Sequence, residues 1–317
     1  MRIAIVKLSS IGDIAQTACI SRILAIKCPH ISVDWFCDQN FLEILEPHCD
    51  LENLYPVISK KPHKRIFKFI SQFFKLKKIG EKSVYNAVLD LQGTFKSAMV
   101  ASAISTNKNL WGFKHTRDFL APKFYKRFFN SPLTENVYLR SINAVNQALG
   151  LKITMEDIAV PFLHTYSDDI LPSVRVKSIL VFPSSSVARK NYSIENWVNL
   201  IKMLPEYKIT LLYGSVGEKI LCEKIANGCG LKMEIVGNKK LGEIKMLLLQ
   251  QDCIIGSDTG ILHIASGLGI KNITLYGPTP QHRTSIFKEH SKALQGNGDV
   301  NKIPCLEIVK TLKLLIE

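Results

Sequence analysis

Short apolar runs alternate with helix-length amphipathic segments along most of the chain, the pattern of repeated βαβ units. In the first half, Arg2 to Lys7 reads as a buried strand, Ile14 to Lys27 as a helix, Ser32 to Phe36 and Asn86 to Leu91 as strands, and Thr94 to Ile104 and Asn136 to Leu149 as helices. The alternation lapses between Pro161 and Pro172, where a polar stretch with Ser167, Asp168 and Asp169 suits an interdomain linker. It then restarts. Ser178 to Phe182, Lys208 to Leu212, Met233 to Val236, Cys253 to Gly256 and Asn272 to Tyr276 read as strands. Helices are expected at Ile194 to Met203, Glu218 to Asn227, Leu241 to Gln250, Gly260 to Gly267 and Leu306 to Ile316.

The fold class that follows is α/β, two Rossmann-like domains in tandem with a ligand cleft between them at the C-terminal ends of the strands. The expected boundaries are 1–165 for the first domain, 166–175 for the linker, 176–303 for the second domain, and 304–317 for a terminal helix able to pack back on the first. A length of 317 residues agrees, because single cores stop growing at about 250 to 300 residues. Dehydrogenases, periplasmic-type binders and nucleotide-sugar glycosyltransferases all use this architecture, so fold alone does not choose a function.

Composition narrows the classes. Hydrophobic residues are 46% and charged residues 21%, enough for packed cores and too little charge for a disordered chain. No run approaches the length of a membrane span, and the apolar start Ile3 to Val6 meets Lys7 and Asp13 too soon for a signal-peptide core, so a cytoplasmic protein is expected. The eight cysteines form no Cys-x-x-Cys pair and read as reduced, small hydrophobes. The net charge of +14 is concentrated: Lys60 to Lys82 carries nine Lys and Arg against Glu81 alone. That points to an anionic partner such as a phosphorylated small molecule, a nucleic acid or an anionic lipid surface.

The first motif with chemistry in it is Gly256-Ser257-Asp258-Thr259-Gly260-Ile261-Leu262-His263, which passes from an apolar strand directly into a helix. Such a turn aims free N–H groups and the positive helix end at whatever lies above it, and a phosphate is the natural guest. Thr259 offers a hydroxyl, Gly260 a close backbone approach, and His263 a ring facing the same anion. A plain helix cap at Asp258 or Thr259, with His263 on the surface, accounts for the residues equally well. Further on, Tyr276-Gly277-Pro278-Thr279 ends another strand in a turn.

Taken together, these two motifs resemble the ADP-heptose glycosyltransferases of lipopolysaccharide core assembly, glycosyltransferase family 9. Ile5-Val6-Lys7-Leu8-Ser9-Ser10-Ile11-Gly12-Asp13 and Leu89-Asp90-Leu91-Gln92-Gly93-Thr94-Phe95-Lys96-Ser97-Ala98 are similar to two further signatures of that family. Lys-x-Ser-Ser before Gly-Asp, and Gln-Gly before Lys-Ser-Ala, place the likeness with its heptosyltransferase I branch rather than the heptosyltransferase II branch. The likeness covers nearly the whole chain and is weakest around 59–82 and 285–304.

The resemblance implies a GT-B arrangement and inverting transfer of heptose from ADP-L-glycero-D-manno-heptose to Kdo of Kdo-lipid A. It makes Asp13, otherwise suited to capping a helix from Ile14, the general base that takes a proton from the acceptor hydroxyl. The leaving diphosphate needs its growing charge stabilised, for which Asp258, Thr259, Gly260 and His263 are joined by Ser185, Ser186 and Lys190 of Pro183-Ser184-Ser185-Ser186-Val187-Ala188-Arg189-Lys190. Arg189 exchanges roles with Lys190 if that loop is shifted by one. Glu218 falls where the family places a carboxylate near the ribose, and equally suits a first-turn helix acid. Lys239 falls near the adenine and carries little. Acceptor binding is assigned to Lys7, Lys60, Lys61, Lys64, Arg65 and Arg117.

No Asp-x-Asp metal signature and no cofactor motif is present, so transfer without a dedicated metal or cofactor is expected. The basic, aromatic segment 66–79 suits either an anionic inner-membrane surface, making the protein peripheral on its cytoplasmic face, or the chain's own core. Three rivals stand beside this reading: a heptosyltransferase with another core acceptor, a nicotinamide oxidoreductase, and a basic nucleic-acid-binding module. The oxidoreductase lacks Gly-x-Gly-x-x-Gly after the first strand, and no recognised motif supports nucleic acid as a partner.

Overall fold

The computed structural model describes residues 1–58, 66–106, 109–166, 177–185 and 187–316. The chain divides into two compact units, Met1–His164 and Thr165–Glu317. In the first, strands β1 (Arg2–Val6), β2 (Ser32–Asp38), β3 (Asn53–Val57), β4 (Ala87–Asp90), β5 (Leu110–Phe113) and β6 (Arg127–Phe129) form one sheet in the order β3-β2-β1-β4-β5-β6. In the second, β7 (Ser178–Phe182), β8 (Lys208–Tyr213), β9 (Glu234–Gly237), β10 (Cys253–Ser257), β11 (Asn272–Tyr276) and β12 (Ser291–Gln295) are ordered β12-β11-β10-β7-β8-β9. Every neighbouring pair in both sheets is parallel.

Each unit therefore has the same winding. The chain runs outward from its first strand, then returns to the other side of it at the fourth. Such a switch point, β1/β4 in one unit and β7/β10 in the other, leaves a crevice at the carboxyl ends of the strands where loops diverge. Ile3, Ala4, Ile5 and Val6 are fully buried, as are Ile254 and Ile255 of β10. Covered on both faces by helices, these strands are continuously apolar rather than alternating, which is why they are readable in the sequence.

Ten helices are described: α1 (Ile11–Thr17), α2 (Cys19–Lys27), α3 (Ile66–Ser83), α4 (Phe95–Ile104), α5 (Val137–Leu149), α6 (Ile194–Lys202), α7 (Val216–Cys229), α8 (Leu241–Leu249), α9 (Gly260–Gly267) and α10 (Cys305–Ile316). The single helix expected over 14–27 is two, beginning earlier at Ile11 and parted at Ala18, where the Thr17 hydroxyl bonds back to the Asp13 carbonyl at 2.8 Å. Strands β3, β5, β6 and β12 lack a sequence expectation. They are short, and three are sheet edges; β3 even carries Pro56, tolerated because an edge strand has no second ladder to donate to.

The terminal helix α10 belongs to the second unit. It buries Ile308, Val309, Leu312 and Leu315 in the core of that unit, with Trp197, Leu200 and Ile201 of α6. Complete burial of each such side chain contributes about 1.5–3 kcal/mol. Of the linker expected at 166–175, only Tyr166 lies within the described residues.

Candidate active site

The first switch point gathers the amino-terminal signature. After β1 the chain enters the turn Leu8-Ser9-Ser10, and Ser10 is the N-cap of α1 with extended backbone (φ −89°, ψ −172°). Asp13 is thus not the helix cap considered for it. It sits three residues inside, and its Oδ2 accepts from the Ser10 amide at 3.0 Å and the Ser10 hydroxyl at 2.8 Å. This is a capping box, and it leaves the carboxylate exposed at the start of α1.

Lys7 leaves β1 beside it and donates Nζ to the Leu91 carbonyl at 2.9 Å. Burial pushes its ammonium below the ordinary lysine value; the charges of Asp13 and Asp90 oppose that shift and Arg140 adds to it. Asp90, at the end of β4, is fully buried and accepts from the amides of Gln92 and Gly93, the Ser97 hydroxyl and the Tyr125 hydroxyl at 2.8–3.1 Å. That fan of bonds shapes the Gln-Gly loop, in which Gly93 adopts φ +75°, open to glycine without strain. A Cβ there would meet the Thr116 methyl at 3.0 Å. Thr116 in turn bonds the Asp118 carbonyl at 2.6 Å, and Asp118 Oδ2 accepts from the Phe95 amide at 2.7 Å. Arg117, between them in the chain, is exposed. Arg140 of α5, missed by the sequence reading, stacks 3.7 Å over Phe113 and donates to the His115 carbonyl at 3.1 Å. Lys60, Lys61, Lys64 and Arg65 lie outside the described residues.

At the second switch point, Lys190 and His263 converge on Asp258. Lys190 Nζ is 2.6 Å from Oδ2 and His263 Nε2 is 3.2 Å from Oδ1. Burial of Asp258 works against its charge, but the bonds to His263 and Lys190 outweigh it and hold the carboxyl well below the usual carboxylate range. His263 is only 7% exposed, so it is no ordinary surface residue. Lys190 closes a 3₁₀ turn, Ala188–Lys190, and turns inward while Arg189 is exposed. The Ser185 hydroxyl accepts from the Val187 amide at 3.3 Å and its amide donates to Asn191 at 2.7 Å, which shapes the loop from within. Ser186 lies outside the described residues.

Thr259 is the N-cap residue of α9 but its hydroxyl makes no capping bond. Together with the Ser184 and Ser257 hydroxyls, it is buried with no partner among the described residues. An orphaned hydroxyl costs about 1–3 kcal/mol, and Ser257 and Thr259 at the start of α9, with Ser184 after the adjoining β7, are free to bond a polar guest. Ser184 and Ser257 escaped the sequence reading, since a serine next to a strand end carries no spacing signal. Gly256 is required here: a Cβ would stand 2.7 Å from the Phe182 carbonyl oxygen.

One strand further along the sheet, Glu218 is the first-turn acid of α7. Its Oε2 accepts from the Gly214 amide at 2.6 Å, folding the carboxylate over the loop after β8. Lys239 is an exposed partner of Glu243 at 3.2 Å.

The second unit thus offers an anion cradle of helix-start amides, hydroxyls and a lysine, and the first an exposed, well-donated carboxylate beside cations. The family model of glycosyltransferase family 9 (heptosyltransferase) matches residues 73–316. Lipopolysaccharide heptosyltransferase 1 of Campylobacter coli is 29% identical over 316 residues, 94% of this chain and 90% of its own. Among solved structures, the E. coli heptosyltransferase WaaC with ADP superposes with a TM-score of 0.82 at 22% identity, covering 99% of both chains. The same enzyme with ADP-2-deoxy-2-fluoro heptose gives 0.79 over the same shares, so the fold is that of the GT-B heptosyltransferases. With this match spanning both halves of the anion cradle, the chain belongs to glycosyltransferase family 9, the heptosyltransferases, and is a glycosyltransferase.

Proposed function

We propose that the protein transfers heptose from ADP-L-glycero-D-manno-heptose to Kdo of Kdo-lipid A, with inversion, in lipopolysaccharide inner-core synthesis. The observation that carries the reading is the Lys190–Asp258–His263 cluster beside unpartnered hydroxyls at the start of α9. A diphosphate placed there meets the helix-start amides and the Thr259 hydroxyl, and Lys190 is within reach to exchange its carboxylate partner for phosphate oxygen. In the reaction, an acceptor hydroxyl oxygen forms a bond to the anomeric carbon, Asp13 takes its proton, and the anomeric carbon–oxygen bond to ADP breaks. The electron pair departs on the phosphate oxygen. Neutralising that charge with protein donors leaves no step that calls for a dedicated metal or cofactor.

The ADP-heptose analogue bound by the solved relative supports the donor, and the names of the relatives support a lipopolysaccharide acceptor. Glu218 is proposed for the ribose, and Lys7 and Arg117, with Lys60, Lys61, Lys64 and Arg65, for the acidic acceptor. We place the enzyme on the cytoplasmic face of the inner membrane. No helix among the described residues is long and apolar enough to cross a bilayer, but α3 is suited to lie on one. It turns Leu76 and Gly80 inward and leaves Phe73 and Phe74 exposed among Lys75, Lys77 and Lys78. Nucleic acid has no part in this reading.

The test is ADP release from ADP-heptose with and without de-acylated Kdo-lipid A. Acceptor-dependent release by the unaltered chain is expected; release only with a heptosylated core acceptor would shift the assignment to a later transfer, and no release with any core acceptor would overturn it.

A further inference from the structure

Gln92 crosses the first switch point. The ladder between β1 and β4 ends where the Leu91 amide bonds the Val6 carbonyl at 3.1 Å, and beyond it the two chains part. There the Gln92 side chain takes over from the backbone. Its Oε1 accepts from the amides of Leu8 at 2.6 Å and Ser9 at 3.2 Å, and its Nε2 reaches the hydroxyls of Ser9 at 3.3 Å and Thr94 at 3.4 Å. Its own amide is fixed by buried Asp90 at 2.9 Å. The next residue along the β1 turn is Ser10, whose amide and hydroxyl both hold the Asp13 carboxylate. Hydrogen bonds from Gln92 to Leu8 and Ser9, the chain from Ser9 to Ser10, and the Ser10 bonds to Asp13 therefore link the end of β4 to the carboxylate. The second unit spans its own switch point with a side-chain bond as well, Lys190 to Asp258.

We propose that Gln92 is a positioning residue for Asp13: its amide continues the β1–β4 pairing past the sheet and so sets the turn whose Ser10 aims the base. This deepens the reading of Asp13 as general base and rests on it. Without Gln92, two backbone amides lose their acceptor and the turn is free to shift, and a shift of about 1 Å in a reacting group is enough to cost 10²-fold. The Ser10 donors that favour the carboxylate would be held less well, which raises the pH at which Asp13 becomes protonated. The other charged groups on elements around α1 stay in place: Lys7 after β1, Arg140 on α5, Arg22 on α2 paired with Asp50, and Glu43 in the 3₁₀ turn Leu42–Ile44.

The experiment compares the full chain with Gln92→Leu, and with Gln92→Asn, which stays polar but is one methylene too short to bridge the turn. Acceptor-dependent ADP release against pH is measured, together with the titration of the Asp13 carboxyl carbon by NMR. The expected result is a 10- to 100-fold lower kcat, a KM for ADP-heptose within twofold, and an acid limb and carboxyl titration both moved to higher pH. An unmoved titration in a folded variant would overturn the proposal, even with a lower kcat, because a merely structural loss lowers activity without moving the carboxyl. Should the Leu variant not fold, the Asn variant is read by the same criteria. The NMR titration needs no turnover, so a failure of the assigned reaction, seen as an inactive unaltered chain, is told apart from a failure of this inference.

Discussion

Asp258 is charged because of what faces it: buried alone it would tend to hold a proton, and Lys190 and His263 reverse that. A carboxyl with a depressed folded pKa adds stability that is present above its unfolded value of about 3.9 and lost as pH falls below it. Asp258→Asn is therefore expected to cost stability near neutral pH and to lose less than the unaltered chain on acidification from pH 5 to pH 2, as read by urea unfolding across that range. At Asp13 the expectation is kinetic. Asp13→Ala should lower kcat by about 10²- to 10⁴-fold while leaving ADP-heptose affinity unchanged, since a general base acts on the acceptor hydroxyl; calorimetric titration with ADP-heptose checks the second half of that statement. Asp13, Lys190, Asp258 and His263 were all legible as candidates because each follows an apolar strand at short range. Ser184, Ser257, Gln92 and Arg140 were not, because what distinguishes them is an unpartnered oxygen or a long-range bond that no local pattern records.

Among the elements, α3 shows how a helix divides its faces. Leu76 is 3% exposed and Gly80 packs so closely on α4 that a Cβ would stand within 2.1 Å of the Ile104 carbonyl oxygen, whereas Phe74 is 59% exposed. Substituting Gly80→Val should destabilise the protein by about 1–3 kcal/mol or more through forced displacement of α3, seen as a lower thermal midpoint. The outer face has a separate consequence. Flotation with anionic vesicles is expected to carry the unaltered chain upward, and reversal to Glu at Lys75, Lys77 and Lys78 to abolish that; unchanged binding would remove the membrane role from this helix. The amphipathic period of α3 is plain in the sequence, but which of its residues meet the core is not. That depended on the approach of α4, a contact set by Gly80 and the chain 24 residues away. The short strands β5 and β6 were likewise invisible, since four and three residues leave no period to detect and only pairing, of β5 with β4 and of β6 with β5, makes them strands.

For the whole molecule, the same winding occurs twice, and in both units candidate site residues gather where the first and fourth strands separate. ADP is expected to slow hydrogen exchange in 257–263 and 187–190 of the second unit while leaving the 8–13 turn of the first unchanged; protection of that turn by ADP alone would contradict the division of donor and acceptor roles. The amino-acid sequence by itself determined the α/β class, most of the central strands, the motifs of family 9 and the residue types of the site. It could do so because strands buried on both faces are continuously apolar and because strand-to-helix turns compress their chemistry into a few consecutive positions. Only the tertiary structure decided that Asp258 joins Lys190 across 68 positions, that the Ser184, Ser257 and Thr259 hydroxyls are left without partners among the described residues, and that Gln92 bonds backbone amides 84 and 83 residues away. These are relations between segments that meet only when parallel strands are laid side by side, and parallel pairing brings together residues that the chain keeps far apart.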